Sequence, residues 1–280
     1  VTVLLGGIAP HPPLVIPEVG GGEIAGVKNT VQALKEFSKR IAASGADTWV
    51  FISPHGLLFR DAISINAEEQ LEGDFAGFGV PQVRLKAQND KELVEAIASA
   101  SEKNGLRTVL LERRGFSQRD ITLDHGVTVP LYYLQEAGVV KRCVSVTYGL
   151  LSYNDLFRFG RFISSAAASI GRNVAVIASG DLSHRLIKDA PAGYNPRGKE
   201  FDEKLVNYLR EYRVEDIMNM DDDLVMDAGE CGLRSIIVLL GSLSDMTINP
   251  EVLSYEGPFG VGYLVALFTP GKEGHQGGSK

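Results

Sequence analysis

An α/β fold in a single domain is predicted, with a mostly parallel central sheet flanked by helices and an antiparallel C-terminal edge. Three features carry this. Short β-branched or apolar runs recur along the chain, segments of helical periodicity separate most of them, and the last two runs flank a Gly-Pro-containing turn.

Taken in order, the buried-strand candidates are Val1 to Ile8, Thr48 to Ser53, Thr108 to Leu111, Arg142 to Val146 and Val174 to Ser179. Continuous apolar runs of this length suit strands covered on both faces, as in a parallel sheet. Helical periodicity marks Ile24 to Ala43, Lys91 to Asn104, Tyr153 to Ile170 and Gly198 to Glu211, and a further helix is expected to start around Val127. Ala62 to Phe75 alternates and contains turn formers, so a hairpin at one sheet edge is expected there. A helix over about Cys231 to Leu243 precedes strands near Glu251 to Tyr255 and Val261 to Thr269. The Gly257-Pro258-Phe259-Gly260 turn between them predicts antiparallel pairing. No repeat or linker divides the chain, so the domain is expected over residues 1–270. The Gly-rich polar tail, 271–280, is expected to lack order, which removes His275 from the site candidates.

The chain has 280 residues, of which 44% are hydrophobic and 22% charged, a balance that allows a large core without disulfide or metal staples. A net charge of -7 with both signs scattered excludes the basic footprint of non-specific nucleic-acid binding. The acidic run Asp221 to Asp223 reads as a solvated turn rather than a metal cluster. Cys143, inside an apolar run, reads as a buried strand residue. Two cysteines do not make a disulfide framework, and no signal peptide or bilayer-length apolar stretch is evident. A cytoplasmic protein without a membrane partner is the expectation, and a homo-oligomer follows from the prevalence of symmetric assemblies.

Ligands of open α/β sheets bind beyond the carboxyl ends of the strands. His11, His55 and His184 each lie in a loop that directly follows a predicted core strand, and His125 lies just before a helix. Any one of them alone reads as an ordinary loop histidine satisfied by hydrogen bonds. Three at matching strand ends favour a shared metal site, and prolines before His11 and His55 stiffen two of the loops. The third ligand expected is Glu230, in Ala228-Gly229-Glu230-Cys231-Gly232 ahead of an apolar helix. On that segment alone a second role stands equal: a carboxylate stabilising the first helical turn through the dipole. Two histidines and a carboxylate with open positions match the facial set of non-haem Fe(II) oxygenases, while zinc in a hydrolase can use a similar set.

Four motifs in this order resemble the class III extradiol ring-cleavage dioxygenase superfamily, to which the catalytic β subunit of protocatechuate 4,5-dioxygenase belongs. They are Pro10-His11-Pro12-Pro13, Ser53-Pro54-His55-Gly56, Asp124-His125-Gly126 with Val129-Pro130-Leu131, and Ser179-Gly180-Asp181-Leu182-Ser183-His184. The resemblance runs over nearly the whole chain. It implies Fe(II) on His11, His55 and Glu230, His184 as general acid/base, His125 as a hydrogen-bond partner of substrate or oxygen, and a small catechol-like aromatic diol plus O2 as substrates. Asp181, three residues before His184, is expected to cap the following turn or to orient that imidazole, with capping preferred.

The segment around Glu230 is similar to the AmmeMemoRadiSam-system and Memo branch, whose name implies a radical-SAM partner and whose members also occur fused to a further C-terminal domain. Memo relatives place a cysteine in the metal-binding region, which makes Cys231 the alternative third ligand and admits a softer ion. Three functions follow: an Fe(II)-dependent extradiol-type oxidoreductase as the leading one, a non-catalytic metal or small-ligand binding protein serving a partner, and a zinc hydrolase.

Overall fold

The computed structural model describes residues 2–271, so most of the tail expected over 271–280, with His275, lies outside the described residues. In chain order the strands are β1 (Val3–Ala9), β2 (Thr48–Ser53), β3 (Ile63–Asn66), β4 (Gln70–Phe75), β5 (Val80–Gln88), β6 (Thr108–Leu111), β7 (Arg142–Thr147), β8 (Val174–Ser179), β9 (Ile248–Glu256) and β10 (Tyr263–Pro270). The helices are α1 (Pro17–Gly20), α2 (Lys28–Ala43), α3 (Lys91–Lys103), α4 (Gln118–Ile121), α5 (His125–Glu136), α6 (Tyr153–Ser169), α7 (Pro196–Arg210), α8 (Val214–Met218), α9 (Asp222–Ala228) and α10 (Leu233–Ser242).

Eight strands form one sheet in the order β6-β3-β7-β2-β8-β1-β10-β9. Its centre, β7-β2-β8-β1, is parallel throughout, and β9 and β10 add the expected antiparallel edge. Side chains alternate between two cores, as the period of a strand requires. On β2, Val50 and Ile52 face a core with Leu93 of α3, Phe159 of α6, Leu205 of α7 and Ile236 of α10. Trp49 and Phe51 face the other, with Phe37 of α2, Val127 and Leu131 of α5, and Leu71 and Phe75 of β4. Each such burial is worth about 1.5–3 kcal/mol, which explains why the central strands read as unbroken apolar runs.

The hairpin expected over Ala62 to Phe75 is corrected. Ile63–Asn66 is fully buried, and it joins the main sheet parallel to β6 and antiparallel to β7. The alternating half-buried stretch begins at Gln70, and it pairs with Val80–Gln88 as a separate two-stranded sheet. The helix expected from Ile24 starts at Lys28, after a 3-10 segment over Gly21–Val27. The acidic run is corrected too: Asp221 accepts from the Asp223 and Leu224 N–H groups and caps α9, so the solvated residues open a helix rather than a turn. Helix α5 begins at His125, two residues earlier than expected, because Asp124 accepts from the Gly126 N–H and caps it.

The register sets the strand ends side by side, with Ala9 beside Ser179 and Ser53 beside Thr147. His11 and His55 each follow a strand terminus by two residues, so both loops emerge on one edge of the sheet. Helix α10, which carries the Glu230–Cys231 segment on its N-terminal side, crosses α6 closely. A Cβ on Gly160 would lie 2.0 Å from the Val238 carbonyl oxygen, and one on Gly241 2.0 Å from that of Phe157. Only glycine permits that approach.

Candidate metal centre

His11 is buried and held at two points. Its backbone N–H donates to Asp181 Oδ1 at 3.0 Å, and its Nδ1 pairs with Ser179 Oγ at 2.9 Å. Nε2 is thereby aimed at His55 Nε2, 3.0 Å away. His55 is held through its backbone N–H, which donates to Ser53 Oγ, while that hydroxyl donates to Asp124 Oδ1. Ser53 and Ser179 each end a strand directly after a run of apolar residues. A hydroxyl at the last strand position, just before a histidine loop, is the signal that could have found them.

His125, the first residue of α5, stacks on His55 with ring centroids 4.2 Å apart and interplanar angle 22°, and lies 5.2 Å from His11. His184 donates from Nδ1 to the Gly229 carbonyl at 2.8 Å, leaving Nε2 as the bare ring nitrogen. Its loop is clamped to the end of α9: the His184 N–H and the Ser183 hydroxyl both donate to the Ala228 carbonyl. The residue is close enough for its charge to bear on His11 and His55. The structure therefore brings all four sequence-identified loop histidines together. Tyr194 is exposed on a loop pinned to the backbone of His184 and Arg185.

Glu230 and Cys231 part company. Cys231 Sγ lies 3.6 Å from His11 Nε2, and among the described residues the group of side chains able to hold a metal ion is His11, His55 and Cys231. The Glu230 carboxylate instead accepts from the Leu233 N–H at 2.6 Å, satisfying an orphan donor at the start of α10. Of the two roles open to it in the sequence, the helix-stabilising one is the role its side chain takes here. Asp181, expected as a cap or as a support for His184, does neither with its carboxylate, which holds the His11 backbone. A cap needs free N–H groups within two or three residues, and here Ser183 Oγ serves the Arg185 N–H instead.

Electrostatics favour neutral imidazoles. Burial, then the neighbouring His55, His125 and His184, hold His11 well below the usual range. Burial, then His125, push His55 down to about 4 against the opposing pull of Asp124. Burial lowers His125 and His184 as well. The acids go the other way: burial raises Asp181 to about 7 and Glu230 to about 7, and it raises Cys231, helped by the charges of Asp181 and Glu230. A cluster of neutral nitrogens beside a thiol suits a divalent cation, which takes bare nitrogens as ligands and releases a thiol proton.

The spacing fits as well. With ligand distances of about 2.0–2.1 Å for nitrogen and 2.3 Å for sulfur, two nitrogens on one ion lie about 3 Å apart, and a nitrogen–sulfur pair about 3.1–3.6 Å apart. The observed 3.0 and 3.6 Å agree.

Fold and site together define an α/β protein with a histidine cluster, able with Cys231 to hold a metal ion, at the carboxyl ends of a parallel sheet. The family model for the catalytic LigB subunit of aromatic ring-opening dioxygenase matches residues 7–266, and the chain belongs to that family. It is 40% identical over 260 residues to the Clostridium acetobutylicum protein CA_C1420, covering 92% of this chain but only 56% of that relative's length. It is 28% identical over 244 residues to Escherichia coli 3,4-dihydroxyphenylacetate 2,3-dioxygenase, covering 83% of this chain and 86% of that enzyme. The fold is also that of the Escherichia coli K12 protein JW3007, at TM-score 0.62 and 12% identity, over 94% of this chain and 99% of that one. No helix among the described residues is long and apolar enough to cross a membrane.

Proposed function

We propose that this protein is a metal-dependent oxidoreductase of the extradiol type that opens a catechol-like aromatic diol with O2. His11, His55 and Cys231 are the proposed ligands of ferrous iron or another divalent ion. The observation that carries the reading is the His11–His55 pair, two Nε2 atoms facing each other at 3.0 Å across the end of β8, which separates β1 from β2, in a chain of the ring-opening dioxygenase family. The ion would supply a site where diol and O2 meet and exchange electrons.

The protein's own residues do the rest. His184, with Nδ1–H committed to Gly229 and a lowered pKa, presents a neutral Nε2 that takes the proton from a substrate hydroxyl. His125, stacked on His55, would hold a substrate oxygen. Ser179 and Asp181 keep the His11 ring and backbone in place. Both cysteines are free, as a reducing cytoplasmic setting would keep them.

The test is oxygen uptake by protein purified anaerobically and loaded with ferrous iron, over a panel of catechols that includes 3,4-dihydroxyphenylacetate. Uptake stoichiometric with diol, abolished in His184→Ala at unchanged iron content, is expected. Absence of uptake with every diol at one iron per chain would sink the reading.

A second reading is favoured by one observation, the cysteine sulfur beside His11 where a carboxylate was expected. In it the protein binds a softer metal or a small ligand on behalf of a radical-SAM partner and turns nothing over. His184→Ala would then leave metal content and partner binding unchanged, and any loss of turnover by that variant rejects it.

A further inference from the structure

The β4–β5 hairpin stands apart from the main sheet yet is fixed to the metal-centre side of α5. The Leu123 N–H donates to the Glu72 carbonyl at 2.8 Å. Gly73 lies so close to the α5 entry that a Cβ there would come within 2.9 Å of the Leu123 carbonyl oxygen. At the hairpin's tip, in the 3-10 turn Ala76–Phe78, sits Phe78. Its ring meets His125 edge-on, with centroids 5.5 Å apart and interplanar angle 73°, and it touches Phe75 at 6.3 Å. It nevertheless leaves 42% of its surface to solvent.

The rings form a continuous series, Phe78 on His125, His125 on His55, and His55 against His11 at 4.7 Å. Phe75, which Phe78 touches, is by contrast fully buried. Phe78 keeps part of its apolar surface exposed at the end of a histidine series. An aromatic ring gains there from offset or edge-to-face contact, and a non-aromatic chelator gains nothing comparable.

We propose that Phe78 is a specificity-determining residue that selects planar aromatic ligands at the His11–His55–His125 cluster. This rests on the proposed aromatic-diol reading and adds the residue that recognises the ring. Phe78 contributes binding and takes no part in proton transfer.

The experiment compares two metal-directed probes on the full chain loaded anaerobically with ferrous iron. One is 4-nitrocatechol, followed by its absorbance change. The other is acetohydroxamate, a bidentate chelator without a ring, followed by its competition with 4-nitrocatechol. Phe78→Ala and Phe78→Leu are expected to weaken 4-nitrocatechol by about tenfold, the worth of one aromatic contact plus lost apolar area. Acetohydroxamate should stay within about twofold in both variants, and Phe78→Tyr should restore nitrocatechol affinity. Equal loss of both probes, no loss of either, or a wild type that fails to bind 4-nitrocatechol overturns the proposal. Oxygen uptake is scored separately. A protein that binds 4-nitrocatechol in a Phe78-dependent way yet consumes no O2 with any diol refutes ring opening and leaves the assignment of Phe78 standing.

Discussion

The backbone N–H of Asp181 donates to Cys231 Sγ at 3.3 Å, and the Cys231 N–H donates back to the Asp181 carbonyl at the same distance. This reciprocal pair joins the loop after β8 to the entry of α10, and it gives the sulfur a donor that stabilises a thiolate. Tyr148 closes the arrangement from β7's side by donating its hydroxyl to the Cys231 carbonyl at 3.2 Å. The sulfur is thus oriented toward His11 by backbone on two sides, while Glu230 is committed to Leu233.

Cys231→Ala is therefore expected to lower bound metal from about one per chain to a small fraction, since a thiolate is among the strongest donors for such ions. Glu230→Ala should keep the metal and lose about 1 kcal/mol of stability, the usual worth of a helix-end acceptor. Elemental analysis after dialysis, together with urea unfolding, separates the two. Metal lost in Glu230→Ala and retained in Cys231→Ala would return the third position to the carboxylate.

Ser179→Ala strips the hydroxyl from His11 Nδ1 and leaves that nitrogen without its partner in a buried position. Loss of such a support typically weakens a metal site by about 10–100-fold. Competition with a chromophoric chelator gives the affinity, and a value within about twofold of wild type would mean the hydroxyl has no part in orienting the ring.

Much of this was legible in the sequence, and the reason is geometric. Parallel strands covered on both faces show as apolar runs, so β1, β2, β7 and β8 could be located, and the loops after three of them named His11, His55 and His184. What the sequence left open or hid depends on direction rather than on sequence position. Glu230 and Cys231 are adjacent, and which one faces His11 is decided by the bonds to Asp181, Tyr148 and Leu233, all remote in the chain or made by backbone groups. Strand β3 was merged with β4 because four buried residues, Ile63–Asn66, are too few to show whether they alternate. Phe78 carried no signal at all, since its meaning lies in the packing of its hairpin on α5.

Asp202, which holds the loop that carries His184, is expected to make stability pH-dependent. It is buried on α7, accepts the Ser183 N–H at 2.8 Å and the Tyr255 hydroxyl at 2.6 Å, and burial raises its pKa to about 7. The folded state therefore keeps a proton that the unfolded chain releases near the ordinary value of 3.8. Stability from this group is full below the unfolded value, falls as pH rises through the window between the two values, and is level above about 7. Asp202→Asn, whose Oδ1 can still accept the Ser183 N–H while its amide nitrogen would donate to the Tyr255 oxygen, should remove that slope, at most about 1.4 kcal/mol per pH unit. Urea unfolding of both proteins at mildly acidic and mildly alkaline pH is the check. Parallel pH dependences in the two would show that Asp202 is not the titrating group.

Gly180→Ala tests whether the centre depends on the contact between the two loops rather than on the ligands alone. A Cβ at residue 180 would fall 2.1 Å from Gly232 Cα, a backbone atom that cannot rotate away, so the β8 loop and the α10 entry must separate. Overpacking of this kind costs about 1–3 kcal/mol, and more where backbone has to move. The separation pulls Asp181 and Cys231 apart, although neither residue is altered, so metal affinity should fall along with the unfolding midpoint. Asp181→Asn, which leaves the backbone pair intact, should disturb the midpoint and the affinity less than Gly180→Ala does. Unfolding curves and chelator competition on the three proteins give that ranking, and a Gly180→Ala variant with wild-type metal affinity would show that the site tolerates movement between its two halves.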